Sequence, residues 1–443
     1  MAGRYKAYPK YQNTDINWLG KAPSHWTLVP CRSLVEHIVE KNHEGRINNY
    51  LSLMANVGVI RYEDKGDVGN KKPDDLTKCK IVRKGQLVIN SMNYAIGSYG
   101  MSPYDGVCSP VYIVLEAKKD VFLNRFALRV FENTSFQKHL ATFGNGILEH
   151  RAAISWDDIK GQYIPLPPKS EQEKILSFLD HEIAKTDILI AKQEKLIELL
   201  KEKRQSVISH AVTKGLNPDI PMKDSGVEWL GEVPEHWVVT KLGYLGKCQN
   251  GLNIGGDSFG SGYPFISYGD VYKNLVLPKS GSGLVLSSDS DRLNYSVHYG
   301  DTLFTRTSET VDEIGFSSTC LSTIENATFA GFLIRFRPKL DTLNPSFSKY
   351  YFRNEKLRAF FVKEMNLVTR ASLSQELLKK MVVTLPSLQE QQIIADYLDN
   401  KEKVFSTLIS RSQSTINLIK ERKSALISAA VTGKIDVRDW EPK

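Results

Sequence analysis

The stretch Trp18-Leu19-Gly20-Lys21-Ala22-Pro23-Ser24-His25-Trp26 returns, 211 residues later, as Trp229-Leu230-Gly231-Glu232-Val233-Pro234-Glu235-His236-Trp237. The chain holds six tryptophans, and four of them stand in these two stretches, so chance is a poor explanation. A second block returns with a shift of 219. Leu166-Pro167 comes back as Leu385-Pro386, Glu171-Gln172 as Glu390-Gln391, Leu179-Asp180 as Leu398-Asp399, and Ala211-Val212-Thr213 as Ala430-Val431-Thr432. Self-similarity of this kind governs an architecture. The chain is therefore built twice, as an arm followed by a long segment, with eight more residues in the second arm.

Each long segment reads as one helix. Between Ser170 and Thr213 there is neither Pro nor Gly. Ser170 with Glu173 gives a capping-box start, and Gly215 with Pro218 a stop. The second copy runs from Ser387 to Thr432, with Ser387 and Glu390 as its box and Gly433 at its end. Forty-odd residues at ~1.5 Å each predict a rod of roughly 65 Å, several times the usual globular helix. Leu179, Ile183, Thr186, Ile190, Gln193, Ile197, Leu200, Arg204, Val207 and Ala211 follow a heptad seam. The repeat carries it onto Leu398, Glu402, Phe405, Ile409, Ser412, Ile416, Ile419, Lys423, Leu426 and Ala430. Such a seam buries against a partner helix, and polar seam positions fix register at a cost in stability. The nearest partner is the other copy, so the two helices are expected to pair antiparallel, as a coiled coil about a pseudo-two-fold axis. The alternative is that they are only core; a rod of that length suits a spacer better.

The arms match each other faintly. Tyr50-Leu51-Ser52-Leu53 resembles Phe265-Ile266-Ser267-Tyr268, Gly85 to Val88 resembles Gly300 to Leu303, and Arg151 and Ser155 align with Arg370 and Ser374. Apolar or β-branched runs bounded by turn residues predict strands at Tyr50 to Met54, Gln86 to Asn90 and Val111 to Leu115. Helices are expected over Arg125 to Ala141 and Ser346 to Glu364. The second arm is rich in turn signals, such as Asn250-Gly251 and Gly260-Ser261-Gly262. The fold class is α+β: two mixed arms joined by two long helices.

At 443 residues, with 41% apolar and 24% charged side chains, the chain is too long for one domain and has ample core. No apolar run approaches the ~18 residues of a membrane span. The start lacks the features of a signal peptide, which predicts a cytoplasmic protein. Five cysteines stand scattered, at 31, 79, 108, 248 and 320. No C-x-x-C pair or ligand cluster accompanies them, so reduced structural cysteines are expected and a zinc site is not. A net charge of +8 permits nucleic-acid binding without demanding it.

Basic residues concentrate between Lys65 and Lys84, including Lys71, Lys72, Arg83 and Lys84. This is either a solvated loop or a surface that tracks phosphates. Arg151 and Arg370 follow Gly- or polar-rich loops at equivalent places, as structural ion pairs or as DNA contacts. Arg292 and Arg306 flank a turn suited to base contacts, because Arg reads guanine bidentately; Lys273 joins the candidates. Chemistry is poorly represented. Asn344-Pro345-Ser346-Phe347 has Ser where an amino-methyltransferase motif needs Pro, and no glycine-rich fingerprint precedes it. Pro73-Asp74 with Glu116-Ala117-Lys118 is too widely spaced for a nuclease centre. No Walker A, H-E-x-x-H or G-x-S-x-G motif occurs, and the nine histidines form no ligand-spaced pair. No catalytic constellation and no metal site are expected.

The nonapeptide at the start of each arm resembles the specificity subunit of type I restriction-modification enzymes. So does the L-P…E-Q…L-D start of each long helix, closing in A-V-T. The resemblance covers almost the whole chain. It implies target-recognition domains at 1–168 and 215–386 and conserved spacer helices at 169–214 and 387–443, the latter with a tail. Each recognition domain would read one half of a bipartite, asymmetric site in double-stranded DNA. The spacer would set the gap and dock two modification (methyltransferase) subunits, and restriction subunits would join to make the cleaving complex. This chain would bind no cofactor; S-adenosylmethionine, ATP and magnesium would serve the partner subunits. A ring-like layout in that family would bring the tail after Gly433 near the amino terminus.

Overall fold

The protein is described here from a computed structural model covering residues 5–68, 71–92, 94, 97–143, 153–308, 314–364 and 371–442. It forms two compact units: Met1–Glu194 together with Ser414–Lys443, and Lys195–Gln413. Each unit therefore contains one arm, the start of the helix that follows it and the end of the other long helix.

The first arm carries, in chain order, β1 (Tyr11–Asn13), β2 (Lys21–Pro23), β3 (Thr27–Pro30), α1 (Cys31–Leu34), β4 (Val35–Ile38), β5 (Leu51–Met54), β6 (Gly58–Arg61), β7 (Lys80–Val82), β8 (Leu87–Asn90), β9 (Tyr99–Met101), β10 (Gly106–Cys108), β11 (Tyr112–Ala117), α2 (Asn124–Phe131), α3 (Thr134–Ala141), α4 (Trp156–Lys160) and β12 (Tyr163–Leu166). The long helix α5 (Lys169–Lys214) follows. The second arm carries β13 (Met222–Asp224), β14 (Glu232–Pro234), β15 (Val238–Lys241), α6 (Leu242–Leu245), β16 (Gly246–Asn250), β17 (Phe259–Ile266), α7 (Tyr268–Lys273), β18 (Gly283–Val285), α8 (Asp289–Asn294), β19 (Thr302–Thr305), β20 (Thr307–Ser308), β21 (Ser317–Thr319), β22 (Thr328–Phe329), β23 (Leu333–Pro338), α9 (Pro345–Tyr351), α10 (Glu355–Glu364), β24 (Ala371–Ser372), α11 (Gln375–Lys380) and β25 (Val382–Leu385). The second long helix is α12 (Leu388–Val431).

The arms that looked only faintly alike share one topology. Each centres on a four-stranded antiparallel sheet, in the order β4-β11-β8-β9 and β16-β23-β19-β21. In each, the strand after the nonapeptide pairs with the strand leading into the long helix, β3 with β12 and β15 with β25. The helices expected over 125–141 and 346–364 are each broken in two, because an asparagine intervenes. Asn133 caps α3 by accepting from the amides of Ser135 and Phe136, and Asn354 accepts from Lys356 N at 3.0 Å. Short polar side chains favour such caps over helix interiors.

The core of the first unit packs Ile89, Ile113 and Leu115 of the sheet against Phe126, Phe131 and Phe136. It continues onto Phe178 and Leu179 of α5 and Leu426 and Ala430 of α12. In the second unit Phe304, Ile334 and Phe336 pack against Phe347 and Tyr351, with Leu398 of α12 and Ala211 and Val212 of α5. The ends of the long helices are thus parts of the arm cores.

The repeated motifs are the clamps that hold this arrangement. The Glu171 carboxylate, 6% exposed, accepts from Trp26 Nε1 at 3.0 Å and from the Tyr8 hydroxyl, and lies 2.9 Å from His25 Nε2. Glu390 repeats this with Trp237 Nε1 at 3.1 Å and His236 Nε2 at 2.8 Å. The next residue ties the helix start to the arm's first core helix. Gln172 accepts from Leu123 N and donates to Val121 O and Pro167 O; Gln391 accepts from Asn344 N and donates to Thr342 O and Pro386 O. The two buried amides therefore have partners for both their acceptor and donor groups.

The helix ends follow the sequence closely, with one correction. α5 begins one residue earlier than Ser170: Pro168 O accepts from the Glu171 and Gln172 amides, so Ser170 lies inside the helix and caps nothing. In α12, Ser387 Oγ does accept from Glu390 N at 3.2 Å, but the Glu390 side chain is spent on Trp237 and His236, so the box is half made. Gly433 has φ +71 and closes α12 as a Schellman motif, with Gly433 N bonded to Ala430 O and Lys434 N to Ala429 O.

Every seam position is buried or half-buried. In the first unit Asp187 of α5 pairs with Lys423 of α12 at 2.7 Å; in the second, Arg204 pairs with Glu402 at 2.6 Å. As α5 advances from 187 to 204, its partner in α12 recedes from 423 to 402, so the helices run antiparallel. The tail after Gly433 lies on the amino-terminal segment within the first unit. Asp436 N donates to Lys6 O at 2.7 Å, the Tyr11 hydroxyl to Gly433 O at 3.0 Å, and Trp440 packs edge-on against Phe178.

Candidate nucleic-acid interface

The basic run from Lys65 to Lys84 divides into committed and open side chains. Lys65 is 9% exposed and its ammonium bonds Val68 O. Arg83 makes a bidentate pair with Glu40, at 2.5 and 2.9 Å, and this hydrogen bonding holds the Glu40 carboxyl below the usual range. Such an exposed pair can open to a phosphate at little cost. Lys71 and Lys72, in the loop between β6 and β7, and Lys84, in the turn before β8, are exposed. None of the three makes an ion pair among the described residues.

In the second arm, Lys273 is exposed at the end of α7. Arg292 is committed. Its guanidinium lies 3.6 Å from the centroid of the Tyr263 ring and donates to Ser287 O and Asp289. Arg306 follows β19 and is half-buried, and its Nε has no hydrogen-bond partner. Between Arg292 and Arg306 the structure has a turn at Tyr299-Gly300, which precedes β19, so Arg306 stands at the opposite end of that strand from it. Arg151 and Arg370 lie outside the described residues. The segment after Arg370 does reach this end of the sheet, since Leu373 N donates to Arg306 O at 2.7 Å. The first arm repeats the contact from Ile154 N to Ser91 O at 3.0 Å.

Three basic side chains not singled out by sequence gather at the matching end of the first arm's sheet. Lys80 Nζ donates to Tyr112 O at 2.6 Å. Burial lowers its pKa, partly offset by Cys108, and Lys41 lowers it further. His37 stacks obliquely on Trp156 and is held below its ordinary pKa by burial and then by Lys80. Strand pairing builds this cluster: Lys41 bridges Lys80 across the chain, a pairing between segments 39 residues apart. The cysteines are unpaired, and burial pushes the Cys31 and Cys108 thiols up to about 12. Among the described residues no group of three His, Cys, Asp or Glu could hold a metal ion, and no helix is long and apolar enough to cross a membrane.

Comparison with known proteins agrees with this arrangement. A family model for the type I restriction modification DNA specificity domain matches residues 32–199 and again 234–418. The chain is 25% identical over 438 residues to the type I restriction enzyme EcoKI specificity subunit of Escherichia coli K12, spanning 94% of this chain and 90% of that one. It is 22% identical to the putative MjaX specificity subunit of Methanocaldococcus jannaschii, over 97% and 98% of the two chains. The fold matches a chain from a structural study of complex assembly and conformational transition in the type I restriction-modification system, with TM-score 0.68, 16% identity and coverage of 94% and 99%. It also matches the specificity subunit from Thermoanaerobacter tengcongensis, with TM-score 0.51, 17% identity and coverage of 94% and 98%. Duplicated arms, paired long helices and two family matches along one chain lead to one conclusion: this protein belongs to the type I restriction-modification specificity subunits, the non-catalytic chains that give such systems their DNA specificity.

Proposed function

We propose that each arm reads one half of a bipartite, asymmetric site in double-stranded DNA, and that the paired helices set the gap and dock two modification subunits. Restriction subunits join this complex to cleave. S-adenosylmethionine, ATP and magnesium serve those partners, and the assembly works in the cytoplasm. The functional boundaries are those of the repeat: recognition domains at 1–168 and 215–386, and spacer helices at 169–214 and 387–443. The observation that carries this reading is one sheet topology built twice, each copy held by the same Trp–His–Glu clamp. Two modest half-site readers on a fixed spacer gain affinity through effective concentration, and lose it if the spacing is wrong.

Phosphate contacts are assigned to Lys71, Lys72, Arg83, Lys84, Arg151, Lys273 and Arg370, and a base contact to Arg306. Arg292, stacked on Tyr263, is the weakest of the candidates, because reaching DNA would break that stack. Docking of the modification subunits is supported by apolar side chains left exposed on the helices. Leu196, Leu199, Val404 and Leu408 lie in the second unit, and Ile188, Leu189 and Leu418 in the first. Exposed apolar stripes on a helix mark interaction surfaces.

The experiment is to sequence methylated bases in cells carrying the chain with its modification subunit. A bipartite motif is expected, and replacing residues 215–386 with the arm of another family member should change one half only. Change in both halves, or in neither, would sink the two-arm assignment.

A further inference from the structure

The two sheets end in the same turn, and the third position of each turn holds an apolar side chain out in solvent. In the first arm the turn is Ser109-Pro110-Val111-Tyr112, closed by Tyr112 N to Ser109 O at 3.1 Å. In the second it is Ala330-Gly331-Phe332-Leu333, closed by Leu333 N to Ala330 O at 2.9 Å. The shift between them, 221, is the one that superposes β11 on β23. Val111 is 51% exposed and Phe332 62%. A lone exposed apolar residue needs no explanation. The same position in both arms, held in the same turn, does.

The display of Phe332 is built by the backbone on both sides. Gly331 N donates to Leu252 O at 2.9 Å, and Arg306 N donates to Phe332 O at 3.0 Å. The segments cross so closely that a Cβ on Gly331 would collide with Asn253 Oδ1. Phe332 therefore stands on a fixed support, which lowers the entropy cost of using it in recognition. Each turn also has a cation beside it. Lys80 bonds the carbonyl of Tyr112, the residue after Val111, and keeps two further ammonium donors. Arg306 bonds Phe332 through its backbone and has an unpartnered Nε. Positive charge beside an exposed apolar side chain fits a duplex, where phosphates flank base edges that carry apolar groups.

The residues at this position differ where the clamps do not. Trp26 and Trp237, Glu171 and Glu390, and Asn133 and Asn354 are identical pairs. At the turn, Pro110-Val111 stands against Gly331-Phe332, and Lys80 has no basic counterpart by the repeat. Readers of two different half-sites must share their scaffold and differ at their contacts.

We infer that Val111 and Phe332 are specificity-determining residues: each lays its apolar side chain against a base edge of the half-site read by its own arm, with Lys80 anchoring the first turn to the DNA backbone and Arg306 making its base contact beside Phe332. The fitting group is the 5-methyl of thymine, the apolar feature of the major groove. This rests on the proposed reading of duplex DNA by the arms.

The test uses the full chain assembled with its modification subunit, and duplexes in which each base pair of the methylated site is replaced in turn. Phe332→Ala should weaken binding to the intact site about tenfold or more. It should also abolish the preference at one base pair of one half, leaving the other half and the salt dependence unchanged. Val111→Ala should do the same, more weakly, in the opposite half. Phe332→Leu, which keeps an apolar contact, should retain the preference for the same base pair. Wild-type preference at every position in both alanine variants would overturn the inference while leaving the two-arm reading intact. So would a uniform loss across all duplexes. A wild-type complex with no sequence preference would bring down both together.

Discussion

Glu171 shows what a repeated residue is worth. Its carboxylate is the common acceptor for Trp26 Nε1, the Tyr8 hydroxyl and His25, in a site where Trp26 is 2% and Tyr8 3% exposed. Removing the acceptor leaves two buried donors without partners, at about 1–3 kcal/mol for each. Glu171→Ala should therefore lower the stability of the first unit by about 2–6 kcal/mol on that scale. Glu390→Ala should cost less, because the Glu390 side chain is 26% exposed and water can replace it. Thermal unfolding of the two variants checks this; equal, negligible shifts would refute the clamp. The sequence displayed Trp26 and Glu171 as repeated letters but not as partners, because 145 residues separate them. The same limit applied to the candidate site. The charges of Arg83 and Arg292 were legible, but their engagement with Glu40 and Tyr263 is set by the folded path. Lys80, which supports an outward turn, was only one more lysine in a basic run.

The long helices were legible because a heptad seam is a periodic signal, and periodicity survives changes of residue type. The arms were less so. β8, Leu87-Val88-Ile89-Asn90, and β19, Thr302-Leu303-Phe304-Thr305, occupy the same place in their sheets and are fully buried, yet they share no residue at any matched position. A core demands volume and polarity pattern more than identity, so topology persisted where letters did not. The breaks at Asn133 and Asn354 had a signal, a repeated asparagine, which helical periodicity hid. At this scale the spacer makes a quantitative demand. Seven residues added to both α5 and α12, between the Asp187–Lys423 and Arg204–Glu402 pairs, keep the seam in register and lengthen the rod by about 10 Å, or roughly three base pairs of DNA. The methylated motif should keep both halves and widen its gap by about that amount. The same insertion in α5 alone should shift the seam against its partner and abolish methylation. An unchanged gap after the paired insertion would refute the spacer role.

Taken whole, the two units contain the same parts in the same cyclic order, but the join between the end of a long helix and the start of an arm is made differently in each. In the second unit the end of α5 continues covalently through Gly215 into the β13–β14 hairpin. In the first, the segment that follows α12 is bound non-covalently to the segment before β1. Ile435 and Val437 of that tail are 5% and 1% exposed, Arg438 lies over the Tyr8 ring, and Glu441 pairs with Lys174 at 2.8 Å. The tail therefore takes the place of a peptide link. A permuted chain, with its ends joined by a short Gly/Ser linker and new ends opened between Leu216 and Asp219, breaks only an exposed connection. Such positions tolerate new termini. It should fold and direct methylation of the same bipartite motif with the same gap. Deleting residues 435–443 removes the latch and exposes apolar surface on the first unit. That should lower the melting temperature and weaken recognition of the first arm's half before the other. A permuted chain that folds but reads a different gap, or a truncated chain as stable as the full one, would show that the tail is not the structural equivalent of the second unit's link.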